Sequence, residues 1–491
     1  MYLSVENDRF SLSENNQDEV EVFLFASRDK LGSCIGKQPR AKTYAIVGTD
    51  FEAPVFGVTL RNEDITTDSV EWYIDGEAQN CNDLTFTASD LAGKPVGVYR
   101  VSCRIEGHDE NCFYGERSAE AVFIITAGVI ENSVLTFSDV HEEFDKIGDA
   151  IGQIMKMNDG CIPSLIVCTG DWVNGSAASD EELENRYFQR MFAQLGGIDT
   201  VYVSGNHESA EASALLSISS GLGADESFED GIGVIFDSRS DGVLKNGKSS
   251  LFNNGLIVYG LNYYALEEKD EENSVYTYVE ACSQLENFFE GLVKDYNGEL
   301  VIISSHTGLH VLGMQPESVR SDGSMLREWN GGNQYNLNAS YEMAELINRY
   351  ASEYNIDVMF LFGHDHSGGE TEFILMPGMK LISTEDFEGK QTKEQRILFT
   401  YGHAGYISSS IGAAKEHYSL IRWDDNSITY ELISIEDDSV NKTVIVRPQA
   451  ENSQNPETGD EGILHILIMV SVTSVFLYMF IKRRTRRSGC I

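Results

Sequence analysis

Positive charge is scarce in this 491-residue chain: 36 Lys and Arg stand against 78 Asp and Glu, a formal net charge of -42. A surface that acidic excludes holding nucleic acid by phosphate neutralisation, which needs clustered Lys and Arg. Paired cysteines are missing as well. The eight cysteines (Cys34, Cys81, Cys103, Cys112, Cys161, Cys168, Cys282 and Cys490) contain no C-x-x-C and no finger spacing, which excludes a cysteine zinc site. Cys103 and Cys112 could bridge a hairpin, or all could be free thiols packed as small hydrophobes. The opening MYLSVENDRF has neither the basic nor the apolar stretch of a signal peptide. Histidine is the last scarcity, at 10 residues, yet LFGHDHSG at 361–368 places two of them one residue apart.

What is present gives a multidomain plan. The length suits two or three domains, and 42% hydrophobic residues can fill sizeable cores. Short alternating runs over 41–128 (YAIVG, FGVTL, VEWYIDG, LTFTASD, VGVYRVSCRIEG, AEAVFIITAG) are divided by turn signals, as in an all-β sandwich. From 131 the pattern changes to short apolar strands alternating with amphipathic helices, an α/β domain expected over 131–436. HEEFDKIGDAIGQIMKM, for example, puts Phe144, Ile147, Ile151, Ile154 and Met155 on one helical face. Near the C-terminus, 463–481 is a 19-residue run without Asp, Glu, Lys or Arg, long enough to span a bilayer as a transmembrane helix. The basic KRRTRR and the rest of 482–491 then stay cytoplasmic. Residues 437–462 read as a linker containing NPETG at 455–459.

The chemistry lies where apolar runs end. VLTFSDVH supplies Asp139 and His141, LIVCTGDWVNG supplies Asp171, VYVSGNHE supplies Asn206 and His207, VIISSHTG supplies His306, and FLFGHDHSG supplies His364 and His366. Ligands of open α/β sheets bind beyond the carboxyl ends of strands, so these endings should converge. Mixed imidazole, carboxylate and amide donors suit Mn, Fe, Zn or Ni. A carboxylate, with two oxygens and a negative charge, can bridge two cations. His310 and His403 could line the same site. Tyr263 and Tyr264 read as core aromatics or as stacking residues.

The ordered set D-x-H, GD, GNHE, H and GHxH resembles the calcineurin-like metallophosphoesterase family. The resemblance implies two β-sheets flanked by helices and two divalent transition-metal ions on one rim. It further implies Asp139, His141 and His366 as ligands of the first ion and Asn206, His306 and His364 as ligands of the second, with Asp171 bridging. His207 would stabilise and protonate the leaving group during hydrolysis of a phosphate mono- or diester by a metal-bridging hydroxide. Asn174 stands where purple acid phosphatases carry a metal-bound tyrosine, so no tyrosinate colour is expected. Ser209 and Ala210 replace the Phe-Asp that follows GNHE in secreted 5'-nucleotidases.

Residues 41–128, with Trp72 and Tyr99, look like a bacterial immunoglobulin-like domain. NPETG, the apolar span and the basic tail resemble a sortase signal of Gram-positive surface proteins, which implies cleavage between Thr458 and Gly459 and linkage to peptidoglycan. A plain membrane anchor is the alternative. An extracellular, anchored protein requires an export signal, so residues 1–40 are taken as unassigned and incomplete. The second functional reading is a non-catalytic binding or adhesion protein that uses the phosphoesterase fold as scaffold.

Overall fold

Strands covered on both faces read as unbroken apolar runs, and SLIVC, LVIIS and VMFLF are such runs. What covers them is seen in the computed structural model, which describes residues 3–6, 9–12, 34–108, 113–174, 181–205, 207–208, 233–239, 251–261, 278–309, 315–319, 325–328, 337–364, 374–382, 386–387, 390–391, 395–408 and 416–448.

The N-terminal β region contains β1 (Ala45–Ile46), β2 (Thr66–Ile74), β3 (Glu77–Ala78), β4 (Gly97–His108), β5 (Phe113–Arg117) and β6 (Ala121–Thr126). The long β4 runs antiparallel to β2 along one edge and to β6 and β5 along the other. Alternation sends Val70, Trp72 and Ile74 of β2 and Val101, Cys103 and Ile105 of β4 into one core with Phe56, Phe86 and Phe123. Trp72 is fully buried, stacks on Phe86 at 5.4 Å and donates its indole N–H to the Asp83 carbonyl at 2.7 Å. The Tyr99 hydroxyl donates to the Pro95 carbonyl at 2.6 Å, pinning the entry to β4. Cys103 is a free thiol that burial pushes up to about 12, so it is inert at neutral pH, and Cys112 lies outside the described residues.

The α/β region follows as β7 (Gly128–Phe137), α1 (Asp145–Met157), β8 (Cys161–Cys168), α2 (Glu181–Gln194), β9 (Thr200–Tyr202), β10 (Gly233–Asp237), β11 (Leu256–Leu261), α3 (Tyr278–Leu292), β12 (Leu300–Ser305), α4 (Leu337–Glu353), β13 (Asp357–Phe362), β14 (Ile374–Leu375), β15 (Thr400–His403), β16 (His417–Trp423), β17 (Ser427–Ser434) and β18 (Val440–Val446). One sheet has the order β9-β8-β7-β16-β17-β18, the other β10-β11-β12-β13-β15-β14. Residues 440–446, expected in the linker, are therefore an edge strand of the first sheet.

Side-chain alternation explains the layering. Val134, Leu165, Val167, Leu300, Ile302, Met359 and Leu361 pack between the sheets. Their neighbours Leu135, Ile162, Ile166 and Cys168 face α1 and α2, against Ile147, Ile151, Ile154 and Met155. On the far side Val301, Ile303, Val358 and Phe360 face α3 and α4. Two sheets flanked by helices result.

The two regions share a core. Val122 and Ile124 of β6 pack with Ile147, Ile151, Phe192 and Leu195, while Ala193 of α2 joins the N-terminal core. Arg100 reaches Asp149 at 2.6 Å, and the Gln194 side-chain amide donates to the Glu120 carbonyl at 2.6 Å. Replacing Ile124 by Ala should cost about 2–5 kcal/mol, the usual range for emptying such a site. Because the core is shared, chemical denaturation should show both regions unfolding earlier in the variant. A loss confined to the N-terminal region would contradict a common core.

Residues 449–491 lie outside the described residues, and with them the end of the linker, Thr458, Gly459, the run 463–481 and the basic tail. Among the described residues no helix is long and apolar enough to cross a membrane.

Candidate metal centre

In the first sheet β7, β8 and β9 are parallel, and in the second β12, β13 and β15 are parallel. Their carboxyl-end loops meet on one rim, as open α/β sheets bring them. The β7–β8 pairing continues past the strands, with Asp139 N–H bonded to the Gly170 carbonyl at 3.0 Å and His141 N–H to the Asp171 carbonyl at 3.0 Å. Across the two sheets, His306 Nδ1 lies 2.8 Å from the Thr169 carbonyl; within the second sheet, Gly363 N–H donates to the His306 carbonyl at 2.8 Å. A ring proton on Nδ1 bonded to that carbonyl leaves Nε2 turned to Asp171, the arrangement typical of a metal-binding imidazole.

Asp171 stands at the centre. Its Oδ1 accepts the His207 backbone N–H at 3.0 Å. Its Oδ2 faces three imidazoles: His306 Nε2 at 3.2 Å, His207 Nε2 at 3.8 Å and His141 Nε2 at 3.9 Å. Asp139 is arranged alike, with Oδ2 accepting the His364 N–H at 3.0 Å and Oδ1 3.8 Å from His141 Nε2. Two groups thus share Asp171, one with His141 and His207 and one with His306 and His364, each set of donor atoms lying within 4.8 Å of one another. The donors are all imidazole nitrogens and carboxylate oxygens, which fit divalent transition metals. Asp139, His141, Asp171 and His306 are buried, while the His207 side chain keeps 29% of its surface.

The backbone there is unusual. Asp139, His141, Glu142, Asp171 and His364 have φ of 53°, 43°, 72°, 54° and 66°. Left-handed non-glycine residues cost about 1–3 kcal/mol each and persist where surrounding structure dictates them, which is common at functional sites.

Glu208 is a residue that its type and position did not single out in the sequence. It is buried, and its Oε2 accepts N–H bonds from Asp171 at 3.0 Å and Gly205 at 2.5 Å while Oε1 accepts that of Val173 at 3.2 Å. Asn174 donates its backbone N–H to Glu142 Oε1 at 3.1 Å and its side-chain amide to the His141 carbonyl at 3.4 Å, so it braces loops instead of offering a phenolate. His403 is buried at the end of β15, where its Nδ1 accepts the Gly405 N–H at 2.9 Å; it is not in either group. Asn206, His310, His366, Tyr263 and Tyr264 lie outside the described residues.

Electrostatics couples metal uptake to protons. Burial opposes charge on His306, but the Asp171 carboxylate outweighs it and holds the imidazole up at about 9. Burial likewise opposes charge on Asp171, yet His306 keeps that carboxyl below its ordinary value. In the metal-free protein this pair stabilises the fold fully below about pH 6.5 and loses that contribution as pH rises through about 9. A cation must displace the His306 proton, so affinity should climb about tenfold per pH unit between roughly 7 and 9 and then level off. Calorimetry of Mn²⁺ binding in buffers of differing ionisation enthalpy checks this; heats independent of buffer would refute it.

Residues 133–368 match the family described as Calcineurin-like phosphoesterase. No curated protein sequence matches the chain. Among solved structures, a dimetal phosphatase from Danio rerio is similar at 14% identity and TM-score 0.39, over 64% of this chain and 98% of that one. GAP50, the anchor in the inner membrane complex of Plasmodium, is similar at 12% identity and TM-score 0.35, over 68% and 100%. Zinc-complexed Vps29 from Entamoeba histolytica stands at 12% identity and TM-score 0.21, over 64% and 98%.

Proposed function

We propose that the calcineurin-like phosphoesterase domain at 133–368 is the catalytic part of a surface-anchored, dinuclear metal-dependent hydrolase of phosphate mono- or diesters. One observation carries the reading: Asp171 Oδ2 is shared by two imidazole groups drawn from strand ends of both sheets. Asp139 and His141, with His366, would hold one ion; His306 and His364, with Asn206, would hold the other. Asp171 would serve both ions, with Oδ2 turned to the imidazoles while Oδ1 accepts the His207 N–H. Two such ions supply Lewis acidity and a nucleophilic water at neutral pH.

The chain's own residues do the rest. The Asp139 and Asp171 carboxylates are each locked by an N–H from another loop, so their outward oxygens do not have to reorganise as charge develops. His207, partly exposed beside Asp171, is the group able to meet the leaving oxygen and give it a proton from Nε2. The β region at 41–128 is read as immunoglobulin-like, with buried Trp72 and the Tyr99–Pro95 bond supporting that reading. NPETG and the apolar run 463–481 support attachment at Thr458 to the wall of a Gram-positive cell.

Purified ectodomain loaded with Mn²⁺ should cleave p-nitrophenyl phosphate or its bis ester, and Asp171→Ala should not. Equal rates for the two proteins under every divalent metal would leave the non-catalytic scaffold as the better reading.

A further inference from the structure

We infer that Glu208 is a positioning residue for the metal centre, setting Asp171 and the loop of Gly205 and His207 through their backbone N–H groups. The inference rests on the reading of Asp171 as the shared ligand. Backbone N–H groups of Asp171 and Val173 come from the loop after β8, and that of Gly205 from the loop after β9. A single buried carboxyl group gathers all three, which couples movement of the two loops. The His207 N–H to Asp171 Oδ1 bond closes the ring from the other side.

The backbone around those donors is tightly packed. Asp171 has a left-handed φ of 54°, and Gly205 sits so close that a Cβ there would collide with Asp171 Oδ1 and approach Asp171 N to 2.6 Å. Contact that tight leaves little slack, so a shift of either loop moves Asp171. Gly205, held by Glu208, and His207, held by Asp171 Oδ1, are the two neighbours of position 206 in the chain. Outer-shell partners of this kind orient ligands, and their loss costs about 10–100-fold in metal affinity or activity.

The test compares Glu208→Gln with wild type, using Mn²⁺ alone as probe. Glutamine keeps the shape and the two bonds made through Oε2, but turns an NH₂ towards the Val173 N–H, so the fold survives while the loop that carries Asp171 is pushed out of register at Val173. Calorimetry should show Mn²⁺ binding weakened about 10–100-fold. With substrate, kcat should fall by a similar factor at saturating Mn²⁺ and KM should stay within about threefold, since a misplaced Asp171 acts on the transition state. Ile302→Val, which loosens the inter-sheet core away from these loops, is the stability control and should bind Mn²⁺ as wild type does. Mn²⁺ affinity in Glu208→Gln within about threefold of wild type overturns this inference alone. A wild-type protein that binds no Mn²⁺ overturns the metal centre and this inference together.

Discussion

Asp171→Asn should lower kcat by about 10³-fold or more, the scale of removing one preorganised charge from a transition state, and should drop bound Mn²⁺ below two per chain. Asparagine is nearly isosteric, and its carbonyl can still accept the His207 N–H as Oδ1 does at 3.0 Å. The amide nitrogen then takes the place of Oδ2 and points a donor at His306, His207 and His141, all within 3.9 Å of that position. A donor there has no lone pair for a cation and no charge to offset two of them. Both groups lose their shared ligand at once, so the effect exceeds that of losing any one imidazole.

A second readout separates this from misfolding. His306 is held at about 9 by the Asp171 carboxylate against the opposing effect of burial. In the metal-free Asp171→Asn variant the largest opposing charge is gone, so the imidazole should titrate well below about 9, with Asp139 and Glu208 alone left to offset burial. Histidine resonances followed by NMR over pH would show the change, while far-UV circular dichroism stays as in wild type. Retention of a tenth of wild-type activity with two bound ions would remove Asp171 from the centre of the reading.

Much of this was legible because buried parallel strands leave a plain trace. SLIVC, LVIIS and VMFLF have no polar face to confuse them, since Val167 looks between the sheets and Ile166 at the helices. The polar residues at their ends stand out by contrast, and the strands' parallel pairing brings Asp139, Asp171, His306 and His364 together. Less legible was β18. An edge strand with Val444 and Val446 exposed carries only half the apolar signal, so it read as linker. The shared core of β6 was hidden differently: AVFIIT is buried on both faces, but residue type does not say that Val122 and Ile124 face α1 and α2. Glu208 escaped because its partners are backbone N–H groups, which every residue but proline possesses. The left-handed backbone of Asp139, His141, Asp171 and His364 escaped for a related reason, being imposed by tertiary contacts on residues that do not require it.

Gly363→Ala should lower kcat by about 10²-fold, the cost of misplacing a catalytic group by roughly 1 Å, although the new methyl group carries no chemistry. A Cβ at Gly363 would overlap Ser138 Oγ, lie 2.5 Å from Ser138 Cβ and 2.9 Å from Asp139 Oδ2. Here β13 of one sheet passes β7 of the other, and the His364 N–H bonds to Asp139 across the gap at 3.0 Å. The methyl group must push the two rims apart, and both Asp139 and His364 move with them. Overpacking of this sort also costs about 1–3 kcal/mol in stability. The partner change Ser138→Gly removes two of the three clashing atoms, and gives up only weak bonds from the Ser138 hydroxyl to the Thr169 and Gly170 carbonyls at 3.4 and 3.5 Å. The double variant should therefore recover most of the lost stability and part of the lost rate, the Asp139 Oδ2 contact accounting for the remainder. A double-mutant cycle measures this directly. If the two substitutions prove additive in both stability and rate, the sheets do not meet at Gly363 as described, and the convergence of their strand ends on one metal centre loses its closest contact.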